Sequence, residues 1–391
     1  MLNAIFRNPT EIYFGEGMEQ ECGRLITPYS HKVLVVCGSS YIKNSEFFKN
    51  ILKLMEAEGI EYSELDGVVP NPRLDLVRKG IDICRKEDIG FVLAVGGGSV
   101  VDTAKAIACG APNKEDDVWD YFLHSKEPQE ILPIGVVLTV AAAGSESSDA
   151  VVITNSDTME KLAFNNDRAR PKFSILNPRV TCSVPAYQTA CGVVDTMSHV
   201  FERYFTQTKF VDATDRLGEG ALLSLMKYGT LIMEDLENYD YRAELMWLGK
   251  LGNDGSFGVG KQTDWASHFM EQELSAWKEE VAHGAGLAVV IPAWMKYVYT
   301  ADIDRFLQFA VRVMGIEMDY FDRERTVLKG IEKLKEYFKS LGMPTTLREL
   351  GFTKDQLAPM AKKCANSYGG TLGHFKVLSA DDIEKIYEIA F

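Results

Sequence analysis

Short apolar runs alternate with longer amphipathic stretches through the first third of the chain. Short, largely apolar runs rich in β-branched residues at 32–37, 91–95 and 134–138 predict strands that are buried on both faces, as in a parallel sheet. Between the runs, residues 44–58 and 73–86 space their apolar side chains at the helical period. This alternation predicts a doubly wound α/β domain of the dinucleotide-binding type.

After about Pro185 the pattern changes to helical periodicity with few β-rich segments. We therefore expect an α/β dinucleotide-binding domain at 1–184 and an all-α, metal- and substrate-binding domain at 185–391. Because no long Pro, Gly or Ser linker separates them, we expect the two domains to pack together with a cleft between them. The stretches with helical periodicity are residues 212–231, 241–251, 265–276, 301–314 and 323–341.

Composition narrows the class of protein. Of the 391 residues, 46% are hydrophobic and 25% charged, which is typical of soluble globular proteins. A net charge of −14 argues against nucleic-acid and anionic membrane partners, because both require clustered Lys and Arg. The N-terminus has no signal-peptide pattern and no stretch approaches a transmembrane length, so we expect a cytoplasmic protein. The seven cysteines include no C-x-x-C pair, which favours reduced thiols.

A glycine-rich segment follows the second predicted strand. Gly97, Gly98 and Ser99 open a predicted helix, where backbone N–H groups and the helix dipole attract a pyrophosphate. The pattern is not G-x-G-x-x-G, and a glycine turn with a capping serine also joins many strands to helices without a ligand. A second segment of small and hydroxyl residues, 138–146, follows the third strand and could line the same groove or simply start a helix.

One aspartate and three histidines form a candidate metal site. Asp195 and His199 have the i,i+4 spacing of one helical face, and His268 and His283 complete a nitrogen and oxygen ligand set that suits Zn²⁺ or Fe²⁺. Each residue alone can equally be a satisfied polar residue of the core. The separations between the histidines match no short metal motif, so spacing leaves both interpretations open.

Several segments together resemble the iron-containing, or group III, alcohol dehydrogenase family, especially its butanol dehydrogenase and aldehyde reductase branch. The resemblance extends from residues 6–15 to 373–378, and its most specific segments are 96–102, 194–199 and 283–288. It implies the two-domain architecture of dehydroquinate synthase-like enzymes. It also implies an NAD(P)H-linked reaction that interconverts small primary alcohols and aldehydes.

The resemblance also implies roles for individual residues. One divalent ion, Fe²⁺ or Zn²⁺, would be held by Asp195, His199, His268 and His283. No catalytic side chain is assigned beyond these ligands. The residues predicted to bind the cofactor, from the resemblance and from their place after predicted strands, are Gly38, Ser39, Ser40, Gly97, Gly98, Ser99, Asp102, Thr139 and Lys161.

Two positions depart from the pattern of the family. Ala143 lacks the hydroxyl that the family's T-G-S-E segment carries. Gln272 stands where a second histidine of an H-x-x-x-H helix is usual, near the substrate. Because a glutamine cannot titrate, any proton relay must use water, the cofactor ribose or another side chain.

Cofactor preference depends on residues 37–43, after the first predicted strand. This segment has no acidic residue to bind a free ribose, and Lys43 with two serines could accommodate a 2′-phosphate. We therefore expect NADP(H) to be favoured over NAD(H). The alternative is that Lys43 is an ordinary solvated helix residue.

Other functions on the same fold remain open at this point. A polyol or glycerol-type dehydrogenase, or an enzyme of a phosphorylated substrate, would differ in its pocket, and Lys261 is the nearest basic candidate. A non-catalytic nucleotide- or metal-binding protein is a further alternative. Aromatic residues suit a small apolar alcohol or aldehyde, although they can also be core: Trp247, Phe257, Trp265, Phe269 and Trp294.

The resemblance also suggests a homodimer. The segment 11–15 could pair edge to edge with the same segment of a second copy.

Overall fold

The structure, a computed structural model, describes residues 1–38 and 40–391, without the side chains of Ser40 and Tyr41. Its strands are β1 Glu11–Phe14, β2 Lys32–Cys37, β3 Glu61–Leu65, β4 Phe91–Gly96, β5 Ile134–Leu138, β6 Ala150–Asn155, β7 Glu160–Asn165 and β8 Phe173–Leu176. Its α-helices are α1 Cys22–Ile26, α2 Ser40–Lys43, α3 Glu46–Ala57, α4 Leu74–Glu87, α5 Gly98–Gly110, α6 Trp119–Phe122, α7 Ala186–Tyr204, α8 Asp212–Glu234, α9 Tyr239–Asn253, α10 Ala266–Trp277, α11 His283–Val298, α12 Ile303–Arg312, α13 Arg323–Ser340, α14 Lys354–Ser367 and α15 Ala380–Ala390.

Six parallel strands form the main sheet, in the order β1-β8-β5-β4-β2-β3. The three strands predicted from apolar runs, β2, β4 and β5, lie next to one another in it. Their side chains alternate between two cores: Val33 and Val35 pack with α1 and α3, whereas Leu34 and Val36 pack with α4 and α5. Helices on both faces explain why these strands read as continuous apolar runs.

The chain forms two compact units. One contains Arg7–Val184 with Glu237–Lys250 and includes the parallel sheet and the β6–β7 hairpin. The other contains Met1–Phe6, Pro185–Leu236 and Leu251–Phe391 and is helical, with α7 packed on α8 and α11, and α10 on α11 and α14. The predicted fold class, an α/β unit with a parallel sheet and a helical unit, is confirmed. None of the helices in the described ranges is both long and apolar enough to cross a membrane.

Candidate active site

The helical unit brings the four predicted metal-binding side chains together. Asp195 and His199 lie one turn apart on α7, His268 lies on α10, and His283 is the first residue of α11. Asp195 Oδ1 lies 3.4 Å from His199 Nε2, 3.9 Å from His268 Nε2 and 3.7 Å from His283 Nε2. Asp195, His199 and His268 are buried, and the imidazole of His283 is 27% exposed.

The chemistry of this cluster fits a divalent metal ion. His268 Nε2 is buried and has no hydrogen-bond partner in the described part of the chain, which is unfavourable for a polar atom unless it binds a ligand. Burial, followed by the electrostatic effect of His268, lowers the pKa of His199 well below its usual range. Metal binding requires this neutral imidazole. Asp195, His199 and His268 offer ligand atoms that all lie within 4.8 Å of one another, and the imidazole of His283 adds a further nitrogen near Asp195. Nitrogen and oxygen donors of this kind suit Zn²⁺ or Fe²⁺.

Two glycines explain how α11 carries His283 into the cluster. A Cβ atom on Gly284 would lie 2.2 Å from the carbonyl oxygen of Cys191 on α7, so a glycine is needed for this helix contact. A Cβ atom on Gly286 would lie 2.7 Å from Glu271 Cγ. The small residues after His283 therefore let α11 approach α7 and a buried glutamate.

In the α/β unit, the two predicted phosphate-binding segments lie side by side. Gly97 ends the turn from β4 into α5, where its Cβ position is 3.1 Å from Val140 Cβ, and that of Gly98 is 3.6 Å from Ser145 Oγ. Thr139 follows β5, and its N–H donates to the carbonyl of Gly96 at 3.0 Å. The half-buried residues 97–99 thus begin a 13-residue helix next to the small residues after β5.

Two charged residues predicted to contact the cofactor are buried in the same unit. Asp102 lies on α5, and burial raises the pKa of its carboxyl group to about 6, opposed by the nearby Lys105 and by a hydrogen bond from Ser145. Lys161 lies on β7 and donates to Asn71 Oδ1 at 2.9 Å. Electrostatic interaction between Lys161 and Asp102 links the two predicted residues.

The segment after β2 is described only in part. The carbonyl of Gly38 accepts the N–H of Gly67 at 3.1 Å. Ser39 lies outside the described residues, and Ser40 begins α2 with a side chain that is also outside them. Lys43 Nζ forms ion pairs with Asp66 at 2.5 Å and with Glu64 at 3.4 Å.

Comparison with known proteins identifies the family. The profile described as "Iron-containing alcohol dehydrogenase" matches residues 9–178, and "Fe-containing alcohol dehydrogenase family, C-terminal" matches residues 189–391. The chain belongs to the iron-containing alcohol dehydrogenase family. The resemblance inferred from sequence motifs is confirmed.

Relatives within this family cover the whole chain. NADH-dependent butanol dehydrogenase A of Clostridium acetobutylicum is 39% identical over 100% of both chains. The NADPH-dependent aldehyde reductase YqhD of Escherichia coli is 33% identical, also over 100% of both. The crystal structure of NADH-dependent butanol dehydrogenase A from Thermotoga maritima superposes with a TM-score of 0.95 at 36% identity, covering 100% of this chain and 99% of that one.

This iron-containing alcohol dehydrogenase family member has two further carboxylates at the cluster. Glu202 Oε1 lies 2.7 Å from His268 Nδ1, and the Glu271 carboxylate contacts His283 Nδ1. Neither glutamate was predicted from sequence to take part in the site. A signal was nevertheless present, because each glutamate follows a predicted ligand histidine by three residues and so shares its helical face: His199 then Glu202, His268 then Glu271.

Trp265 forms an apolar wall of the cluster in a strained conformation. Its φ is 104°, a left-handed value that costs a residue other than glycine about 1–3 kcal/mol. Its ring lies 5.2 Å from that of His268 and 5.7 Å from that of His199. Its N–H donates to Glu202 Oε2 at 2.7 Å, a contact that helps to hold this backbone.

The other aromatic candidates are distributed differently. Phe269 stacks on Tyr368 with ring centres 4.1 Å apart, and Tyr368 Oη donates to Gln272 Oε1 at 2.7 Å. Trp247 belongs to the α/β unit, where it packs on Phe14.

Phe257 is buried, and Trp294 packs in an aromatic core of the helical unit with Phe205 and Phe375. Lys261, the basic residue considered for an anionic substrate, pairs with Asp215 at 2.8 Å, and its side chain is only 1% exposed. Its ammonium group therefore forms an ion pair inside the protein.

Proposed function

We propose that this protein is a metal-dependent, NAD(P)H-linked oxidoreductase that interconverts small primary alcohols and aldehydes such as butanol and butanal. The convergence of Asp195 Oδ1 with three imidazole nitrogens carries the proposal. Relatives that are named butanol dehydrogenases and an aldehyde reductase support the substrate class. We further propose that residues 1–184 bind the dinucleotide and that residues 185–391 bind metal and substrate.

Each half of the site has a defined task in this proposal. A bound Fe²⁺ or Zn²⁺ supplies a Lewis acid for the substrate oxygen, and the nicotinamide supplies or accepts the hydride. Asp195, His199, His268 and His283 hold the ion. Trp265 excludes water from one side of it.

The cofactor is bound by the start of α5 and its surroundings. Backbone N–H groups at residues 97–99 bind the pyrophosphate at the helix N-terminus. Gly38 would face the ribose, and the contacts predicted from sequence for Ser39, Ser40, Asp102, Thr139 and Lys161 would complete the cofactor site. Gln272 cannot transfer a proton by titration, so we assign it no acid or base role.

An activity assay with defined metals tests the function. Purified protein loaded with Fe²⁺ or Zn²⁺ should oxidise NADH or NADPH in the presence of butanal, and His268→Ala should abolish this turnover because a ligand is lost. The exposed His31→Ala is a control that should keep wild-type rates. Absence of turnover with a panel of aldehydes and divalent ions would reject the oxidoreductase. Normal turnover of His268→Ala would reject the ligand assignment.

The ion pairs of Lys43 lead us to propose NADH as the preferred cofactor, in place of the NADPH expected from sequence. Names of relatives include both cofactors. Lys43, however, faces both Asp66 and Glu64, and its hydrogen bond lowers the pKa of Asp66 below the usual range, so that carboxylate is charged. Lys79 also acts electrostatically on Asp66, but the ammonium of Lys43 is occupied by these two carboxylates, and this disfavours its binding of a 2′-phosphate.

We also propose a cytoplasmic homodimer. Strand β1 lies at the edge of the parallel sheet, and among the described residues it pairs with β8 alone. An open edge of this kind is suited to pair with the same strand of a second copy.

A further inference from the structure

Two buried carboxylates contact the sides of the imidazoles that face away from Asp195. Glu202 accepts from His268 Nδ1 at 2.7 Å, and Glu271 contacts His283 Nδ1. The side chains of Glu202 and Glu271 are 3% and 0% exposed, respectively. Burying a carboxylate is unfavourable unless charged or N–H groups compensate it, and these imidazole contacts contribute to that compensation.

The contacts pass from helix to helix in sequence order. Glu202 on α7 contacts His268 on α10, and Glu271 on α10 contacts His283 on α11. Each glutamate lies one helical turn after one predicted ligand on its own helix, but it contacts a different ligand, which lies on the next helix of the cluster. His199 is different, because its Nδ1 is buried without a hydrogen-bond partner in the described residues.

The chemistry of histidine makes these contacts consequential. A neutral imidazole has one N–H, and a carboxylate that accepts it at Nδ1 leaves the lone pair on Nε2. In His268 and His283, Nε2 is the nitrogen that faces Asp195 Oδ1. The acceptor therefore selects the tautomer and fixes the ring plane.

We infer that Glu202 and Glu271 are positioning residues that hold His268 and His283 ready for the metal ion. The inference rests on the proposed metal role of the four ligands. Glu202 has a second task, since its two oxygens also accept the N–H groups of Trp265 at 2.7 Å and His268 at 3.1 Å, and so organise the first turn of α10. Glu271 is held by Ser275 Oγ and by the close approach of Gly286.

Glu271→Gln is the cleanest variant, because the amide oxygen can still accept from His283 while the amide N–H₂ donates to Ser275. Shape is kept and the charge is lost. We expect the dissociation constant for Zn²⁺, measured by competition with a chromophoric chelator, to rise by about 10–100-fold. The visible absorption bands of the Co²⁺-loaded protein should shift, because the imidazole is then a weaker ligand.

Glu273→Gln is the matched control. Glu273 is also buried on α10, two residues further on, but it faces Lys363 at 3.4 Å. The Zn²⁺ affinity and the Co²⁺ spectrum of the Glu273→Gln variant should equal those of the wild type. Glu202→Gln should weaken Zn²⁺ binding at least as much as Glu271→Gln, and circular dichroism establishes whether it folds.

A glycine variant tests position separately from charge. Gly286→Ala keeps every carboxylate but places a methyl group against Glu271, so it should also weaken Zn²⁺ binding. Wild-type affinity and spectra in Glu271→Gln, with His199→Ala unable to bind Zn²⁺, would overturn the positioning inference alone. Wild-type Zn²⁺ affinity in His199→Ala would instead reject the ligand assignment, and the inference with it.

Discussion

Charges around Lys43 determine what a cofactor phosphate would meet after β2. The ammonium is shared between Asp66 and Glu64, and all three side chains are between 30% and 50% exposed. Exposed ion pairs of this kind contribute little to stability, because solvent screens them. These ion pairs affect the choice between NADPH and NADH. The carboxylates that pair with Lys43 also repel the doubly charged 2′-phosphate that only NADPH carries.

Asp66→Asn should therefore shift cofactor preference towards NADPH. Removal of one negative charge leaves Lys43 freer to bind the 2′-phosphate, and we expect the ratio of kcat/KM for NADPH to that for NADH to rise on the order of tenfold, or about 1.4 kcal/mol. Steady-state kinetics with butanal measure the ratio. Asp355→Asn, an exposed change on α14, should leave it unaltered. An unchanged ratio in Asp66→Asn would contradict the proposed role of this charge.

Close helix contacts define the framework of the metal cluster at the level of elements. Helix α11 begins with His283, and its second residue, Gly284, meets the backbone of α7 at Cys191. Because the obstacle is backbone, a side chain at this position cannot be accommodated by a change of rotamer. The distance between the predicted ligands on α7 and His283 on α11 therefore depends on this glycine.

Gly284→Ala should destabilise the protein even without metal. Overpacking against a backbone carbonyl costs about 1–3 kcal/mol, which lowers the Tm by several degrees. Gly220→Ala on α8 is the control, since nothing lies within 4 Å of its Cβ position and alanine in a helix interior gains about 0.5–1 kcal/mol. The Tm values of the two variants and the wild type are measured by thermal unfolding after chelator treatment. A Tm for Gly284→Ala at or above that of the wild type would contradict the packing argument.

At the scale of the whole molecule, the two compact units carry different chemistry. All four predicted metal ligands lie in the helical unit, and all the predicted cofactor contacts that the structure describes lie in the α/β unit. The edge strand β1 belongs to the α/β unit. The N–H groups of Glu11 and Gly15 donate to Lys172 and Leu176, so by alternation those of Ile12 and Phe14 point towards the open edge.

A homodimer through β1 predicts a solution mass of twice the 43.7 kDa chain. Ile12→Pro removes an N–H on the open edge while the bonds from Glu11 and Gly15 to β8 remain. Light scattering after size exclusion should then find a monomer that retains its circular dichroism spectrum. A monomeric wild-type protein would reject the proposal, and a dimeric Ile12→Pro variant would reject pairing through this edge.

The central strands and long helices follow from sequence pattern, because β2, β4 and β5 are buried on both faces and helices such as α13 have one apolar face. The strands β3 and β8 and the β6–β7 hairpin were not predicted, because polar residues interrupt them, as in Glu61–Leu65 and Glu160–Asn165, and they lack the continuous apolar run of the central strands. The residue types Asp195, His199, His268 and His283 also indicated a metal site before any contact was known.

Only tertiary structure decided what surrounds these residues. Lys43 and Lys261 are basic in the sequence, yet their partners Asp66 and Asp215 come from distant segments, so their availability to a ligand could not be derived from local pattern. The same holds for Glu202 and Glu271, whose contacts join separate helices. Sequence by itself determines which groups can ionise, coordinate or be buried, whereas their hydrogen bonds and charge balance depend on long-range packing, which brings residues far apart in the chain within a few ångströms.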